Sequence, residues 1–229
     1  MCGRYTLTDP DPRLLRFRFG LAEEAKIEQA PRYNVAPTDP VLAIRLNGDG
    51  EREPGVLRWG LIPDFADPDS FDRLLINARA ETVAEASAFR DAFKTHRCLI
   101  VADGFYEWLK SEDPKQPRLP FRFTVDGGEP FAFAGICTRK EWEDDWLYSC
   151  TLITTKPNEV VKPVHDRMPV IFPGPEAEQA WLSTDLSVED ALAMCVPLDA
   201  GRMQSAAANP KLNKVGKGIE GPELLVVPE

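Results

Sequence analysis

Residues 99–108 read LIVADGFYEW, the centre of an apolar run from 98 to 109 that has the composition of a β-strand. If its period of two holds throughout, Val101, Asp103, Phe105, Glu107 and Leu109 share one face. Glu107 then sits among apolar neighbours, where burial disfavours the charged carboxylate and raises its pKa toward neutrality. A bulge at Asp103-Gly104 would flip that register, and an edge strand would turn Glu107 to water. Further strand-like runs lie at 41–46, 119–125, 131–137, 146–154, 168–172 and 223–227. Asn47-Gly48-Asp49-Gly50 supplies a hairpin turn between two extended stretches. The 21 prolines break the chain into short elements.

Helical signals are fewer. Pro12 to Phe19 is a short amphipathic helix, and Phe89 and Phe93 at an i,i+4 spacing mark another near 84–95. Pro175 opens a helix through Trp181, and Ser187 caps one through Met194. The reading is α+β, a single domain over residues 1–229 built on mostly antiparallel sheet with peripheral short helices.

Bulk properties narrow the function. A chain of 229 residues with 43% hydrophobic and 28% charged residues has the composition of a globular domain. No apolar run has the length of a membrane span, so no membrane partner is expected. The five cysteines, Cys2, Cys98, Cys137, Cys150 and Cys195, form no CxxC pair, which fits a reducing, cytoplasmic setting. With two histidines, His96 and His165, no metal site or other cofactor is expected. A net charge of −10 argues against coating nucleic acid by bulk electrostatics, while leaving room for a narrow basic cleft.

Cys2 stands directly behind the initiator methionine. Removal of Met1 would leave an α-amine with a reference pKa of about 7.7–8.0 beside a thiol near about 8.5. Such a 1,2-aminothiol has chemistry that no internal cysteine has. Three polar segments accompany it. In LINARAET (75–82), Asn77, Arg79 and Glu81 face one way in an extended chain, with Ala78 and Ala80 opposite. That pattern suits a pocket wall carrying a forked donor for phosphate or carboxylate, or an exposed strand with an Arg–Glu pair. In PVHDRMPV (163–170), two prolines pin a loop presenting His165, Asp166 and Arg167. The stiff loops PRYNVAPTDP (31–40) and RWGLIPDF (58–65) carry Tyr33, Asn34, Trp59 and Phe65, aromatics and an amide suited either to stacking bases or to the core.

Taken in order, MCGRY, RYNVAP, RWGLIP, NARAET, ADGFYEW and HDRMP resemble the SRAP family, the SOS response-associated peptidase-like proteins that process abasic sites. With GPELLVVP near the end, the likeness spans essentially the whole chain. The resemblance implies a central barrel-like sheet and a trimmed Cys2 that attacks the ring-opened aldehyde of an abasic site in single-stranded DNA. The amine forms a Schiff base and the thiol closes a thiazolidine, giving a covalent DNA–protein crosslink. It further implies self-processing at Met1, a weak lyase activity, and a monomer that associates with damaged DNA in the nucleoid. Carried over by position, Cys2 is the nucleophile, Glu107 and His165 manage protons, and Asn77 orients sugar and nucleophile. Gly3, Arg4, Asn34, Trp59, Arg79, Thr155 and Arg167 are implied DNA contacts. The family often has a tryptophan after WGLIP; here Asp64 and Phe65 stand in its place. MCG also opens N-terminal nucleophile amidohydrolases, which need an oxyanion-hole loop; LNGDGE is the one candidate for it, and it reads as a hairpin turn. A plain single-strand binding module is the remaining alternative.

Overall fold

The computed structural model describes residues 2–110, 115–214 and 219–228. Its strands in chain order are β1 (Arg4–Leu7), β2 (Arg32–Val35), β3 (Pro40–Leu46), β4 (Arg52–Trp59), β5 (Asn77–Arg79), β6 (Arg97–Ala102), β7 (Gly104–Leu109), β8 (Leu119–Val125), β9 (Phe131–Trp142), β10 (Asp145–Thr155), β11 (Met168–Pro169) and β12 (Met203–Ala207). Strands β10, β4, β3, β6 and β9 follow one another, and β9 pairs back to β10, closing a five-stranded ring. Only the β4–β10 contact in that ring is parallel. The second sheet runs β12-β8-β7-β1-β2 and is antiparallel throughout. The expected α+β architecture with a barrel-like centre is what the chain forms.

Alternation along the ring strands buries both faces. Leu42, Ile44, Leu99, Val101, Ala134 and Ile136 join Leu15, Phe19, Phe93 and Trp181 from the helices. Val41, Ala43, Ile100, Phe131, Phe133 and Leu152 join Tyr5, Phe105, Phe123 and Val125 of the second sheet. The helices are α1 (Pro12–Phe19), α2 (Arg90–Thr95), α3 (Pro175–Leu182) and α4 (Val188–Ala193). Asp11 caps α1 by accepting from Arg13 N at 2.8 Å, and Gly20 ends it in the left-handed region at φ 59°. Ser187 caps α4 as its sequence position suggests. Among the described residues no helix is long and apolar enough to cross a membrane.

Four expectations change. The run 98–109 is two strands, because the chain turns at Asp103 and passes from the ring into the second sheet. Val101 therefore joins the helix-side cluster and Phe105 the inter-sheet one, so the common face from Val101 to Leu109 does not hold. Helix α2 starts only at Arg90; residues 82–89 coil through successive turns. Of 168–172, only Met168–Pro169 forms a strand, although Val170 still bonds Ile153 and Ala134 on either side. Residues 222–225 form a 3₁₀ turn rather than a strand, with Pro222 in its first turn and Leu224 buried.

Candidate active site and nucleic-acid interface

Strand β1 is held between β2 and β7, with Arg4 opposite Tyr106 and Thr6 opposite Gly104. Extending that register brings Gly3 beside Glu107 and so places Cys2 at the end of β7. Asp103 fastens the arrangement. Its carboxylate accepts from Thr6 Oγ1 at 2.6 Å, from Thr8 Oγ1 at 2.6 Å and from the Thr8 amide, and it pairs with Arg122 at 3.1 Å. Gly104 is required here: a Cβ would lie 2.8 Å from Thr6 Oγ1 and 2.6 Å from Arg122 Nε. The sequence reading named Asp103 without giving it this task.

Cys2 is fully buried; its thiol donates to Arg4 O at 3.7 Å. Asn77, on β5, donates from Nδ2 to Cys2 O at 2.8 Å, while its Oδ1 is buried without a hydrogen-bond partner. Glu107 on β7 is 2% exposed, and that burial raises its pKa to about 7. Burial first, and then the Glu107 carboxylate, push the Cys2 thiol well above its ordinary range, so it is protonated in this state. His165 Nε2 lies 3.8 Å from Glu107 Oε2, and burial holds the imidazole below its ordinary value. Near pH 7 Glu107 is therefore close to its midpoint, where it both gives and takes a proton, beside an imidazole that favours its neutral form. The Arg167 amide donates to His165 Nδ1 at 3.0 Å, and Asp166 Oδ1 lies 3.0 Å from the same nitrogen, so the loop holds the ring from that side.

Two openings flank this cluster. A cleft of about 600 Å³ is lined by Arg79, Glu81, Thr82, Lys110, His165, Asp166 and Arg167. A shallower groove of about 450 Å³ is lined by Gly3, Arg4, Ala36, Pro37, Leu74 and Trp108. Four positively charged side chains thus border a site on a chain of net charge −10, and sequence reasoning missed Lys110 among them.

The remaining expected DNA contacts divide. Arg79 is exposed on the cleft, and Gly3 and Arg4 border the groove. Arg167 is already engaged: its fork donates to Glu81 at 2.6 and 2.8 Å and to Thr154 O at 2.6 Å. It ties the His165 loop to β10 and to the turn after β5, and Glu81 is the residue that sequence spacing placed beside Arg79. Asn34 is buried, with Oδ1 accepting from Arg4 Nη1 at 2.7 Å. Thr155 is buried at the end of β10 opposite Met168. Trp59 is wholly buried against Tyr5, its indole donating to Ile76 O at 3.0 Å. Trp59, Thr155 and Asn34 therefore present little or no surface in this structure, whereas Asn34 and Trp59 were expected to line the cleft and Thr155 to meet a phosphate. LNGDGE is an ordinary hairpin turn in which Asn47 Oδ1 accepts from the Asp49 and Glu51 amides, and it lines a different cavity. Among the described residues no cluster suits a metal ion.

The site thus gathers Cys2, Asn77, Glu107 and His165 beside a cleft that carries Arg79, Lys110 and Arg167 together with Glu81 and Asp166. Residues 1–215 match the family model for SOS response associated peptidase (SRAP), and the chain belongs to that family. It is 41% identical over 220 residues to the abasic site processing protein YoqW of Bacillus subtilis strain 168, covering 93% of this chain and 94% of that one. It is 40% identical over 232 residues to YobE of the same strain, likewise named an abasic site processing protein, covering 98% and 99%. A crystal structure of a protein from Bacteroides thetaiotaomicron superimposes with a TM-score of 0.85 at 22% identity over the whole of both chains, a likeness of fold.

Proposed function

We propose that this protein processes abasic sites by trapping them covalently in single-stranded DNA. With Met1 removed, the Cys2 amine adds to the ring-opened C1′ aldehyde and expels water to give an imine. The Cys2 sulfur then adds to the imine carbon while the thiol proton passes to nitrogen, closing a five-membered thiazolidine. The observation that carries this reading is the convergence of buried Cys2 and Glu107 with half-buried Asn77 and His165 beside a cleft bearing Arg79, Lys110 and Arg167.

Each step asks for a group that is present. A carboxyl with a pKa of about 7 exchanges protons readily at neutral pH, which suits Glu107 to take a proton from the amine and return it during dehydration. The raised thiol makes sulfur the later nucleophile, reacting once the imine is formed and a base is at hand. Asn77 fixes the Cys2 carbonyl, and its open Oδ1 is an acceptor for the sugar hydroxyl or the amine. His165, positioned by Arg167, holds the sugar hydroxyl from the cleft side. Arg4, Arg79 and Lys110 meet phosphates, and Gly3 admits the strand close to the backbone. The imine is also the species from which β-elimination would cut the strand, so ring closure by sulfur diverts it from a slow lyase reaction.

Intact-mass spectrometry tests the reading. Protein beginning at Cys2 is incubated with a single-stranded oligonucleotide bearing one abasic site. The expected product is an adduct equal to the sum of the two masses less one water, absent with Cys2→Ala and with undamaged DNA. No adduct from protein verified to begin at Cys2 would overturn the proposal.

A further inference from the structure

Ile219 and Glu220, just ahead of GPELLVVP, touch the candidate DNA-binding machinery without belonging to any of the motifs that mark it. β2 is the edge of the second sheet, so among the described residues the amides along its outer side have no strand to pair with. Glu220 covers them: its carboxylate accepts from the Tyr33 amide and from the Asn34 amide at 3.2 Å, and lies 3.7 Å from Arg32 Nε. One residue earlier, the Ile219 carbonyl accepts from Asn34 Nδ2 at 2.8 Å. That bond determines which way the Asn34 amide faces. With Nδ2 held by Ile219, Oδ1 is turned to Arg4 and accepts from its guanidinium at 2.7 Å. A flipped amide would present a donor to a donor. The segment is itself anchored downstream, where the Asn209 side chain donates to Glu223 O at 2.9 Å and Leu224 packs in a buried cluster with Tyr106 and Leu212.

We infer that Glu220, acting through Ile219 and Asn34, is a positioning residue that sets Arg4 for the phosphate backbone of the bound strand. The relay has three links: Glu220 pins the segment to β2, the Ile219 carbonyl orients Asn34, and Asn34 orders the Arg4 side chain along the groove beside Gly3. Ordering a long arginine before DNA arrives removes rotamer entropy that binding would otherwise have to overcome. This rests on the reading that Arg4 meets DNA.

The sign of the effect separates this role from bulk electrostatics. Glu220 is an acid on a chain of net charge −10. By charge alone its removal would tighten DNA binding; by the relay its removal weakens it. The experiment measures affinity for an undamaged single-stranded oligonucleotide by fluorescence anisotropy, and crosslinking rate at saturating abasic DNA, for wild type, Glu220→Ala, Glu220→Gln, Arg4→Ala and Glu220→Ala/Arg4→Ala. Glu220→Ala is expected to weaken affinity by about three- to tenfold, the range one intramolecular hydrogen bond commands, with the saturated rate unchanged. Glu220→Gln keeps an acceptor for the β2 amides and restores binding. Glu220→Ala has no further effect once Arg4 is gone, which a general loss of fold would not reproduce. Unchanged or tighter binding by Glu220→Ala, or full additivity with Arg4→Ala, overturns the relay alone. A wild type that neither binds nor crosslinks single-stranded DNA overturns the DNA reading and the relay with it.

Discussion

Replacing Glu107 with glutamine removes a titration without removing the shape of the side chain. Burial lifts this carboxyl from its ordinary 4.5 to about 7, a gap worth about 3 kcal/mol between the folded and unfolded chains. The sign follows from proton counts. Between pH 4.5 and 7 the folded protein keeps the proton on Glu107 and the unfolded chain gives it up, so wild-type stability falls as pH rises through that window. Glutamine stays neutral throughout. Glu107→Gln is therefore expected to gain on wild type by about 2–3 kcal/mol between pH 5 and pH 8, read as the difference in urea unfolding free energy. His165, held below its ordinary value, works in the opposite direction, but it is present in both proteins and drops out of the difference. The same substitution withdraws the proton carrier, so the crosslinking rate at pH 7 should fall by about a hundredfold, the lower end of what general acid–base groups contribute. A stability difference that stays flat from pH 5 to pH 8 would refute the claim that burial raises the Glu107 carboxyl toward 7. A rate unaffected by the substitution would refute its role in proton transfer.

Two other substitutions probe the scaffold. Asp103→Ala leaves Arg122 half-buried without its carboxylate and releases Thr6 and Thr8, and should cost about 3–5 kcal/mol in chemical denaturation; a loss under about 1 kcal/mol would show that β1 is held by other means. Trp59→Phe forfeits the bond to Ile76 O and part of the packing against Tyr5, and should cost about 1–3 kcal/mol while leaving affinity for undamaged single-stranded DNA within about twofold of wild type. Weakened binding at unchanged stability would restore Trp59 to the DNA-contact set.

Much of this was legible before folding was considered, and the exceptions have physical causes. The long runs that became β3, β8, β9 and β10 carried enough β-branched and aromatic residues to announce themselves. β1, β2 and β5, of four, four and three residues, are too short to show a period, and they exist because stronger neighbours recruit them. They are also the strands that carry Arg4, Asn34 and Asn77, so the site falls where local signals are weakest. Glu107 was found for a partly mistaken reason: its burial is real, but the register that suggested it breaks at Asp103, and only Phe105, Glu107 and Leu109 keep their common face. Trp59 shows the converse. An aromatic in a stiff loop looks the same in sequence whether it stacks on a ligand or on Tyr5. Residues far apart in sequence were invisible as partners; nothing local links Glu220 to Asn34 or Glu81 to Arg167.

On the proposed reading, in which Met1 is removed, the position of Cys2 reconciles two opposed demands on a terminal nucleophile. Chain ends are ordinarily the least ordered part of a domain, yet an aminothiol that must add to one carbon twice needs a fixed geometry. Here the order comes from residues that have no part in the chemistry. Tyr5 packs against Trp59 and Phe133, Leu7 is buried on the helix side, and Thr6 and Thr8 are bonded to Asp103. The strand is thus immobilised from its third residue onward, and Asn77 fixes the carbonyl of Cys2 from the neighbouring sheet. The same burial that supplies this order raises both the thiol, which stays protonated, and Glu107, which is brought to its midpoint near neutral pH. A thiol kept protonated is poorly placed to react with oxidants or stray aldehydes. The amine, whose reference pKa lies nearer neutrality, is the group positioned to react first. On the proposed reading, selectivity for an aldehyde carried on DNA comes from the groove and cleft, whose Arg4, Arg79 and Lys110 would bring the sugar to a nucleophile buried from bulk solvent.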